Sequence, residues 1–357
     1  MSASFGLAAD ETIARRQGTG QSPPTLRLYT YRACALVGRF QRLASELVLD
    51  ECRRLGLEVN RRPTGGGAII MGPDQLGVAL MTRAPAEARG YEKTRELFAR
   101  FGAGIIAALG VLGIDAEYRR KNDIEVGRRK IAGLGICFDP AGGLLFHASL
   151  LIDLDIARML SVLRTPFEKI SDKEIATVAE RLTTVNRELS RPVALQEVRE
   201  RVREGFESAL GVRLLPGDFS PDELGEIEAL ERERYRSPEW LERLPGAPDH
   251  MGSATVKTEG GLLTAHLTLA ADMIKAVYLT GDFFTDDAVL AGMERALRWH
   301  SASPDAVLKT LEGLREREDL SLPQVPSDAV ARAVVLAADA AREHALRGLA
   351  KGCFVNP

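Results

Sequence analysis

Three consecutive glycines, Gly65–Gly67, lie between an extended basic segment, Arg61–Arg62, and the apolar segment Ala68–Met71. Because glycine has no Cβ and adopts positive φ readily, a glycine triplet between two strands either forms a tight turn or lets an anion approach the backbone. Successive N–H groups in such a turn can converge on one anion, here flanked by two guanidinium groups. The segment therefore predicts either a plain hairpin turn or a cradle for a phosphate or carboxylate group.

The size and composition of the chain predict two globular domains. Its 357 residues exceed one average domain, and 45% hydrophobic with 27% charged residues is ordinary for a soluble protein. The net charge of −3 provides no general positive field for nucleic acid. No apolar run reaches the roughly 20 residues that span a bilayer, and residues 1–7 show no secretory signal. We therefore expect a cytoplasmic protein without nucleic-acid or membrane partners.

The cysteines are few and far apart: Cys34, Cys52, Cys137 and Cys353. The absence of a Cys-x-x-Cys pair disfavours a structural zinc site, and the wide spacing disfavours a disulfide framework. Cys137 stands in an apolar run, which is typical of a small buried hydrophobic residue. We find no physical role for Cys353.

Strand-like and helical patterns alternate through the first part of the chain. Strands are expected at Leu26–Tyr31, Ala35–Val37, Glu58–Arg62, Val78–Met81, Asp123–Val126, Lys130–Phe138 and Leu144–Ile152. Helices are expected at Ser45–Leu55 and Tyr91–Leu112, and the region from Asp155 to Tyr235 is mostly helical. The mixture predicts an α/β (α+β) fold.

A Pro/Gly-rich link, Pro245–Pro248, predicts a domain boundary. Two alternating runs, Ser253–Lys257 and Leu262–Leu269, flank a Gly-Gly turn and predict a hairpin. A third strand and several helices follow, and Ser327-Asp328 reads as the N-cap of a last helix that ends at about Leu346. We expect a catalytic domain over residues 1–245, an accessory α+β domain over residues 250–320, and a C-terminal helix and tail over residues 321–357.

A second constellation, Asn122-Asp123 followed by Lys130 and Gly133, lies downstream of the glycine loop. A strand-borne lysine beside a glycine can bring its ammonium group close to a bound anion. A nearby aspartate can offer hard oxygen ligands to Mg²⁺. The alternative for both residues is an ordinary surface lysine and a turn-capping aspartate.

Taken together, these motifs resemble the lipoate–protein ligase family within the biotin and lipoate protein ligases. The family's Arg-Arg-x-Ser/Thr-Gly-Gly-Gly-Ala loop is matched by Arg61–Ala68, and its Asn-Asp-Ile/Leu segment by Asn122–Ile124. Its Gly-Arg-Lys-Ile-x-Gly segment is matched by Arg129–Gly133, and its His-Gly-Thr-Leu-Leu segment is approximated by His147–Leu151. Gly281–Phe284 resembles part of the accessory domain of full ligases.

The resemblance implies a mixed-sheet, biotin/lipoate-ligase-like catalytic domain with a smaller α+β accessory domain. In such ligases a carboxylate attacks the α-phosphate of ATP, and a lysine of a carrier protein then takes the acyl group and releases AMP. The implied substrate is lipoate or octanoate, and the implied cofactors are ATP and Mg²⁺. The implied acceptor is a dehydrogenase lipoyl domain, a glycine-cleavage carrier protein or a specialised lipoate carrier.

The resemblance also assigns site residues. The ATP or adenylate site comprises Arg62, Gly65, Gly66, Gly67, Ala68, Ile69, Ile70, Asn122, Asp123 and Lys130. The lipoate site comprises Arg62, Thr64, Lys130 and His147. Lys130 is the expected catalytic residue, bridging the acid carboxylate and the α-phosphate, and Asp123 is the expected ligand of Mg²⁺.

Some residues depart from the family pattern. Met71–Gly77 replaces the usual His-Asp-x-Gly-Asn-x-Asn run, and Ala132 and Ala148 replace a serine and a glycine. Methionine cannot donate the hydrogen bond that histidine can, so contacts around an adenylate must differ. These changes leave the choice of acid and acceptor open.

Three alternatives remain. Octanoyltransferases share the fold, use a cysteine nucleophile and need no ATP. In this chain Cys137 would be that nucleophile. One branch of these enzymes places its cysteine upstream of the lysine motif, but this chain has no cysteine between Cys52 and Cys137. Biotin ligases share the Asn-Asp-Ile and Lys-Ile-Ala-Gly segments but carry a Gly-Arg-Gly-Arg type of loop. A non-catalytic lipoate-binding homologue is the third alternative.

Overall fold

The computed structural model describes residues 1–85, 91–119, 122–164, 172–242, 252–270, 272–318 and 320–351. The chain divides into two units. The first unit comprises residues 1–39, 43–64 and 68–242, and the second comprises residues 40–42, 65–67 and everything after residue 242. The expected boundary at Pro245–Pro248 lies outside the described residues.

The first unit contains nine of the strands and ten of the helices within the described ranges. Its strands are β1 Thr25–Tyr29, β2 Cys34–Val37, β3 Glu58–Arg61, β4 Ile69–Met71, β5 Gln75–Arg83, β6 Glu117–Arg119, β7 Asp123–Val126, β8 Arg129–Phe138 and β9 Gly143–Leu151. Its helices are α1 Ala3–Gly18, α2 Leu43–Glu46, α3 Leu49–Arg54, α4 Tyr91–Val111, α5 Ile156–Val162, α6 Asp172–Ala179, α7 Val185–Leu189, α8 Leu195–Leu210, α9 Pro221–Leu230 and α10 Pro238–Glu242. A π-helical turn, Glu231–Tyr235, separates the last two helices.

Six strands of the first unit form an antiparallel sheet in the order β1-β5-β9-β8-β7-β6. A smaller sheet has the order β3-β2-β4, in which β2 runs parallel to β3 and antiparallel to β4. The α/β (α+β) prediction with a mixed sheet is therefore confirmed. Neighbouring residues of each strand point to opposite faces, so both faces of the large sheet need a covering layer.

Helix α1 covers one face of the large sheet, where its Leu7 and Ile13 share a buried cluster with Met81 and Leu145. Helices α4 and α8 pack together on the other face. The ring of Phe101 lies 5.5 Å from that of Phe146, and the Gly104 carbonyl would lie 2.2 Å from a Cβ at Gly205. Glycine at position 205 is therefore what lets the two helices approach so closely.

One helix expected from the sequence is wrong in extent. The segment Ser45–Leu55 is not a single helix but two short ones, α2 and α3. Leu47 forms an isolated bridge with Leu163 between them, and the Val48 N–H donates to the Val162 carbonyl at 2.8 Å. Pairing with a distant segment thus interrupts a pattern that is locally helical.

The second unit has a three-stranded antiparallel sheet in the order β10-β11-β12, packed against helices. Its elements are β10 Gly252–Thr258, β11 Gly261–Ala270, β12 Met273–Gly281, α11 Asp287–Leu297, α12 Pro304–Glu318 and α13 Ser327–Lys351. The hairpin and the third strand follow the sequence prediction. Ser327, which the sequence predicts as the N-cap, is instead the first residue of the last helix. Across the described ranges, every helix is too short or too polar to cross a bilayer.

Candidate active site

The glycine loop leaves β3 and enters β4, as the sequence predicts. Gly66 has a φ of 92°, in the left-handed region that favours glycine. A Cβ at Gly65 would lie 2.3 Å from the carbonyl oxygen of Phe283, whereas nothing lies within 4 Å of a Cβ built at Gly67. Gly65 and Gly66 are therefore required by packing and by backbone conformation, and Gly67 leaves open space above the backbone.

The two arginines before the loop have different surroundings. The Arg61 side chain is fully buried and donates to four main-chain carbonyls, those of Gly38, Arg39, Trp240 and Leu241, at 2.8–3.0 Å. The expectation that both guanidinium groups flank an anion is therefore corrected: Arg61 ties segments of the chain together. Arg62 is also buried, and burial lowers its pKa to about 10, so it remains cationic at neutral pH.

Lys130 and Asp123 form an ion pair at the surface of the large sheet. The Lys130 Nζ lies 2.7 Å from the Asp123 Oδ1, and both side chains are about one-third exposed (33% and 31%). A register shift between Ile124 and Glu125 adjusts the pairing of β7 with β8 at this point. A Cβ at Gly133 would lie 3.0 Å from the Lys130 Nζ. Because glycine has no Cβ, the ammonium group can lie close to β8 at this position.

Asn122 positions this pair rather than contacting it. Its Nδ2 donates to the Leu134 carbonyl at 3.1 Å, and its own carbonyl accepts from the Leu134 N–H at 2.8 Å. These two hydrogen bonds fasten the start of β7 to β8. Asn122 therefore holds Asp123 beside Lys130, a role that the sequence motif does not reveal.

His147 lies on β9 beside the same strand β8. Its Nε2 is 2.7 Å from the Thr64 Oγ1, and a Cβ at Gly135 would lie 2.6 Å from that Nε2. Burial and the nearby Arg62 guanidinium lower the pKa of His147 to about 3, so the imidazole is neutral at physiological pH. The structure thus brings together three of the expected lipoate-site residues: Arg62, Thr64 and His147.

Two glycines of β8 connect these groups. Gly133, under the Lys130 ammonium, and Gly135, under the His147 ring, are separated by one residue and so lie on the same face of the strand. With a rise of about 3.3 Å per residue, they stand about 7 Å apart. The sequence analysis did not single out Gly135 as part of the site. Glycines at alternate positions inside a strand indicate that another group approaches the backbone closely, and this pattern would have identified it.

Cys137 continues the row Gly133, Gly135, but its thiol is not activated. Burial raises its pKa to about 12, against an opposing effect of Arg39. Burial raises the pKa of the other cysteines in the described part of the chain, Cys34 and Cys52, as well. None of these three thiols has the lowered pKa of a nucleophilic cysteine.

The described residues do not form a set of protein ligands that could enclose a metal ion. Within the described ranges, no group of three His, Cys, Asp or Glu side chains is arranged to hold one. Asp123 offers a single carboxylate, already paired with Lys130. This donor set fits Mg²⁺ only where phosphate oxygens supply most of the ligands, which is the usual way nucleotide-bound Mg²⁺ is held.

The neutral state of His147 predicts a pH effect on stability. An unfolded histidine titrates near pH 6.5, so between about pH 6.5 and 3 the unfolded chain holds a proton that the folded chain lacks. Stability should therefore fall as the pH is lowered through this window, by at most about 1.4 kcal/mol per pH unit from this residue. Urea unfolding at about pH 7 and pH 5 should show a smaller loss for His147→Gln than for the unmodified chain. Equal losses would contradict the assignment; His266, whose pKa is also lowered, is present in both proteins and cancels.

Comparison with known proteins identifies relatives of this chain. The family model described as the lipoyl protein ligase A/B catalytic domain matches residues 2–207. The octanoyltransferase LipM of Brevibacillus brevis is 30% identical over 263 residues, covering 67% of this chain and 95% of the relative. The names of such relatives favour octanoyl transfer over the ATP-dependent ligase activity expected from the motifs.

Solved structures support the fold. A bi-partite lipoate protein ligase of Thermoplasma acidophilum, from work on an archaeal lipoylation system with its E2 lipoyl domain, is 27% identical with a TM-score of 0.60, covering 67% of this chain and 91% of its own. A lipoate-protein ligase A bound with ATP is 25% identical with a TM-score of 0.59, covering 67% and 94%. LipL1 of P. falciparum, in complex with lipoate, is 16% identical with a TM-score of 0.68, covering 94% and 97%, and shows likeness of fold alone. Because the family model spans more than half of the 357 residues, this protein belongs to the lipoyl protein ligase A/B catalytic domain family.

Proposed function

We propose that this enzyme activates lipoate or octanoate with ATP and transfers the acyl group to a lysine of a carrier protein. The observation that carries the proposal is the Lys130 ammonium, held over Gly133 by Asp123, on the same sheet face as the neutral His147–Thr64 pair. A fixed cation at this position neutralises two anions, the acid carboxylate and the α-phosphate, that must approach each other. The reaction then gives an acyl-adenylate and pyrophosphate.

Each remaining residue has a role in this scheme. Backbone N–H groups of Gly65–Ala68 would donate hydrogen bonds to phosphate oxygens. Ile69 and Ile70, both partly exposed, would contact the base or the acyl chain. Asn122 would keep Asp123 in place, and Asp123 would be the ligand that this chain offers to Mg²⁺ carried by the triphosphate. Bound Mg²⁺ would offset the charge of the phosphates.

On the acyl side, Arg62 and Thr64 would act together with His147. The His147 ring stays uncharged, so it presents a hydrogen-bonding but neutral surface beside the acid. Gly133 and Gly135 let the Lys130 ammonium group and the His147 ring lie close to β8, so both groups would face an acid bound on this side of the sheet. In the second step, the amine of the carrier lysine attacks the acyl carbon, the acyl–phosphate bond breaks and AMP leaves. This scheme requires no covalent enzyme intermediate.

The second candidate function is octanoyl transfer without ATP, and the names of the relatives that are 30% identical favour it. It would need a cysteine nucleophile, which in this chain is Cys137. Its apolar surroundings raise the pKa of this thiol to about 12, so the thiol form is favoured at neutral pH. The thiol is half-buried and packs against the apolar cluster around α1, and this environment is the reason that we place the adenylate route first.

Cys137→Ser distinguishes the two routes. Given ATP, Mg²⁺, octanoate or lipoate and an apo lipoyl domain, we expect acyl-AMP, pyrophosphate and acylated lysine from both the unmodified chain and Cys137→Ser, because the thiol takes no part. Mass spectrometry of the lipoyl domain and pyrophosphate release are the measurements. Cys52→Ser, which removes a buried thiol elsewhere in the first unit, is the control.

A different set of results would support octanoyl transfer without ATP. If an octanoylated carrier protein supports transfer without ATP, and Cys137→Ser abolishes that transfer while Cys52→Ser does not, the transferase function is correct. If neither donor yields acylated lysine, neither function holds, and a non-catalytic lipoate-binding role remains.

A further inference from the structure

A turn at the end of α11 in the second unit has an unusual residue at its third position. The His300 N–H donates to the Leu297 carbonyl at 3.3 Å. Arg298 has φ −65° and ψ 137°, and Trp299 has φ 62°. These values describe a type II turn, whose third position requires positive φ and is normally glycine or asparagine. A bulky residue such as tryptophan in the left-handed region is a true outlier.

Main-chain hydrogen bonds hold the turn in this conformation. The Trp299 N–H donates to the Ile274 carbonyl at 2.7 Å, and the Ile274 N–H donates to the His300 carbonyl at 2.9 Å. The Ala302 N–H donates to the Asp272 carbonyl at 2.9 Å. The turn thereby pairs with the start of β12, an edge strand of the second sheet. A glycine would satisfy all of these bonds without strain, so the backbone does not explain the tryptophan.

Burial does not explain it either, because Trp299 is 56% exposed. Met273, which follows the β11–β12 turn, is 39% exposed, and both residues lie among the large exposed hydrophobic side chains of the chain. A large aromatic ring that is both strained and left in water suggests a surface that another molecule covers.

Basic residues adjoin Trp299 along the chain: Arg298 immediately precedes it, Arg295 lies in the last turn of α11, and Lys275 follows its pairing partner Ile274. Lys275, Arg295 and Arg298 are exposed, and among the described residues none of the three forms a salt bridge. The acidic residue next to Met273, Asp272, forms a salt bridge with Arg342, whose Nη2 lies 3.1 Å from the Asp272 Oδ1. We call the five residues Met273, Lys275, Arg295, Arg298 and Trp299 the Trp299 patch.

We propose that the Trp299 patch is the docking surface for the carrier protein, through a carrier face that is acidic around an apolar centre. The proposal rests on the proposed function, since the carrier is the protein whose lysine receives the acyl group. Tryptophan and arginine are the residues that most often carry binding energy in protein interfaces. The exposed basic groups of the patch would steer an acidic partner and reject a basic one.

Trp299→Gly is the direct test, with an apo E2 lipoyl domain as the probe. We expect the KM for the lipoyl domain, and the Kd measured by titration calorimetry, to rise about tenfold or more, because a central aromatic anchor is lost. Pyrophosphate release with acid and ATP in the absence of a carrier reports the first step, which does not use the patch. The melting temperature should stay the same or rise, because glycine fits the left-handed turn. Arg298→Glu should weaken binding in the same way, with a loss that shrinks at high salt.

Gln324→Gly is the matched backbone control. Gln324 also has positive φ, 57°, in a turn closed by the Val325 N–H and the Leu322 carbonyl at 3.2 Å. The substitution relieves left-handed backbone in the same unit without touching the patch. It should leave the KM and Kd for the lipoyl domain unchanged.

Several results would overturn the proposal. Unchanged KM and Kd in Trp299→Gly would do so, as would failure of the unmodified chain to bind the lipoyl domain. So would a Trp299-dependent change in oligomeric state, or Trp299-dependent binding to phosphatidylserine vesicles, in place of lipoyl-domain binding. If neither ATP nor an octanoylated carrier supports transfer, the proposed function fails separately; binding of the lipoyl domain that is lost in Trp299→Gly would still support the patch.

Discussion

Replacing Lys130 by alanine should reduce acyl transfer by about a hundredfold to a thousandfold while leaving the fold intact. The ammonium group is the only group we place between the acid carboxylate and the α-phosphate, and removing such an electrostatic contact typically costs this much in rate. The side chain is about one-third exposed and its partner Asp123 is similarly exposed, so its loss should change the free energy of unfolding by less than about 1 kcal/mol. Acyl-AMP formation and thermal melting measure the two effects.

Arg129→Ala provides the control for this prediction. Arg129 is the adjacent residue on β8 and also forms a half-buried ion pair, with its Nη2 2.9 Å from the Glu188 Oε1. Its removal should leave acyl-AMP formation within a fewfold of the unmodified rate. An active Lys130→Ala protein would show that the reacting centre lies elsewhere.

Replacing Arg61 by alanine should destabilise the first unit by about 3–5 kcal/mol, the largest stability effect that we expect from one substitution. The guanidinium is fully buried and donates to four carbonyls, which the alanine would leave without a donor. Arg61→Lys should recover only part of the loss, because an ammonium group cannot reproduce the planar fork.

Urea unfolding followed by tryptophan fluorescence measures this effect in one unit at a time. The chain has two tryptophans, Trp240 in the first unit and Trp299 in the second, so a Trp299→Phe background reports on the first unit alone. Arg53→Ala, which removes an exposed arginine paired with Asp50, should change stability by no more than about 0.5 kcal/mol. A similar small change for Arg61→Ala would mean that the four carbonyls find other donors.

Local pattern was enough for much of the fold. The strands β5, β8 and β9 and the long helix α4 follow from alternation and helical spacing, since their burial matches their sequence period. Helix α1 was missed because its buried residues are largely small or polar, such as Ala8, Ala9 and Thr12, and so form no apolar stripe. Tertiary pairing broke the expected helix at Leu47, which no local pattern can show.

The candidate site shows the same division. Lys130 and Asp123 could be found from the sequence because they stand on paired strands only seven residues apart. The different roles of Arg61 and Arg62 could not, because consecutive residues of an extended segment point in opposite directions and only the fold decides which groups each side chain meets. Likewise, the pairing of Thr64 with His147 joins residues 83 positions apart.

The hydrogen bonds of Arg61 also bear on how the chain emerges from the ribosome. Two of its four acceptors, the Trp240 and Leu241 carbonyls, lie 179 and 180 residues further along the chain. A nascent chain that has not yet exposed α10 has only the Gly38 and Arg39 carbonyls to offer a guanidinium whose burial is otherwise costly. During synthesis, the first unit therefore reaches its final stability late, when nearly all of its residues are outside the exit tunnel.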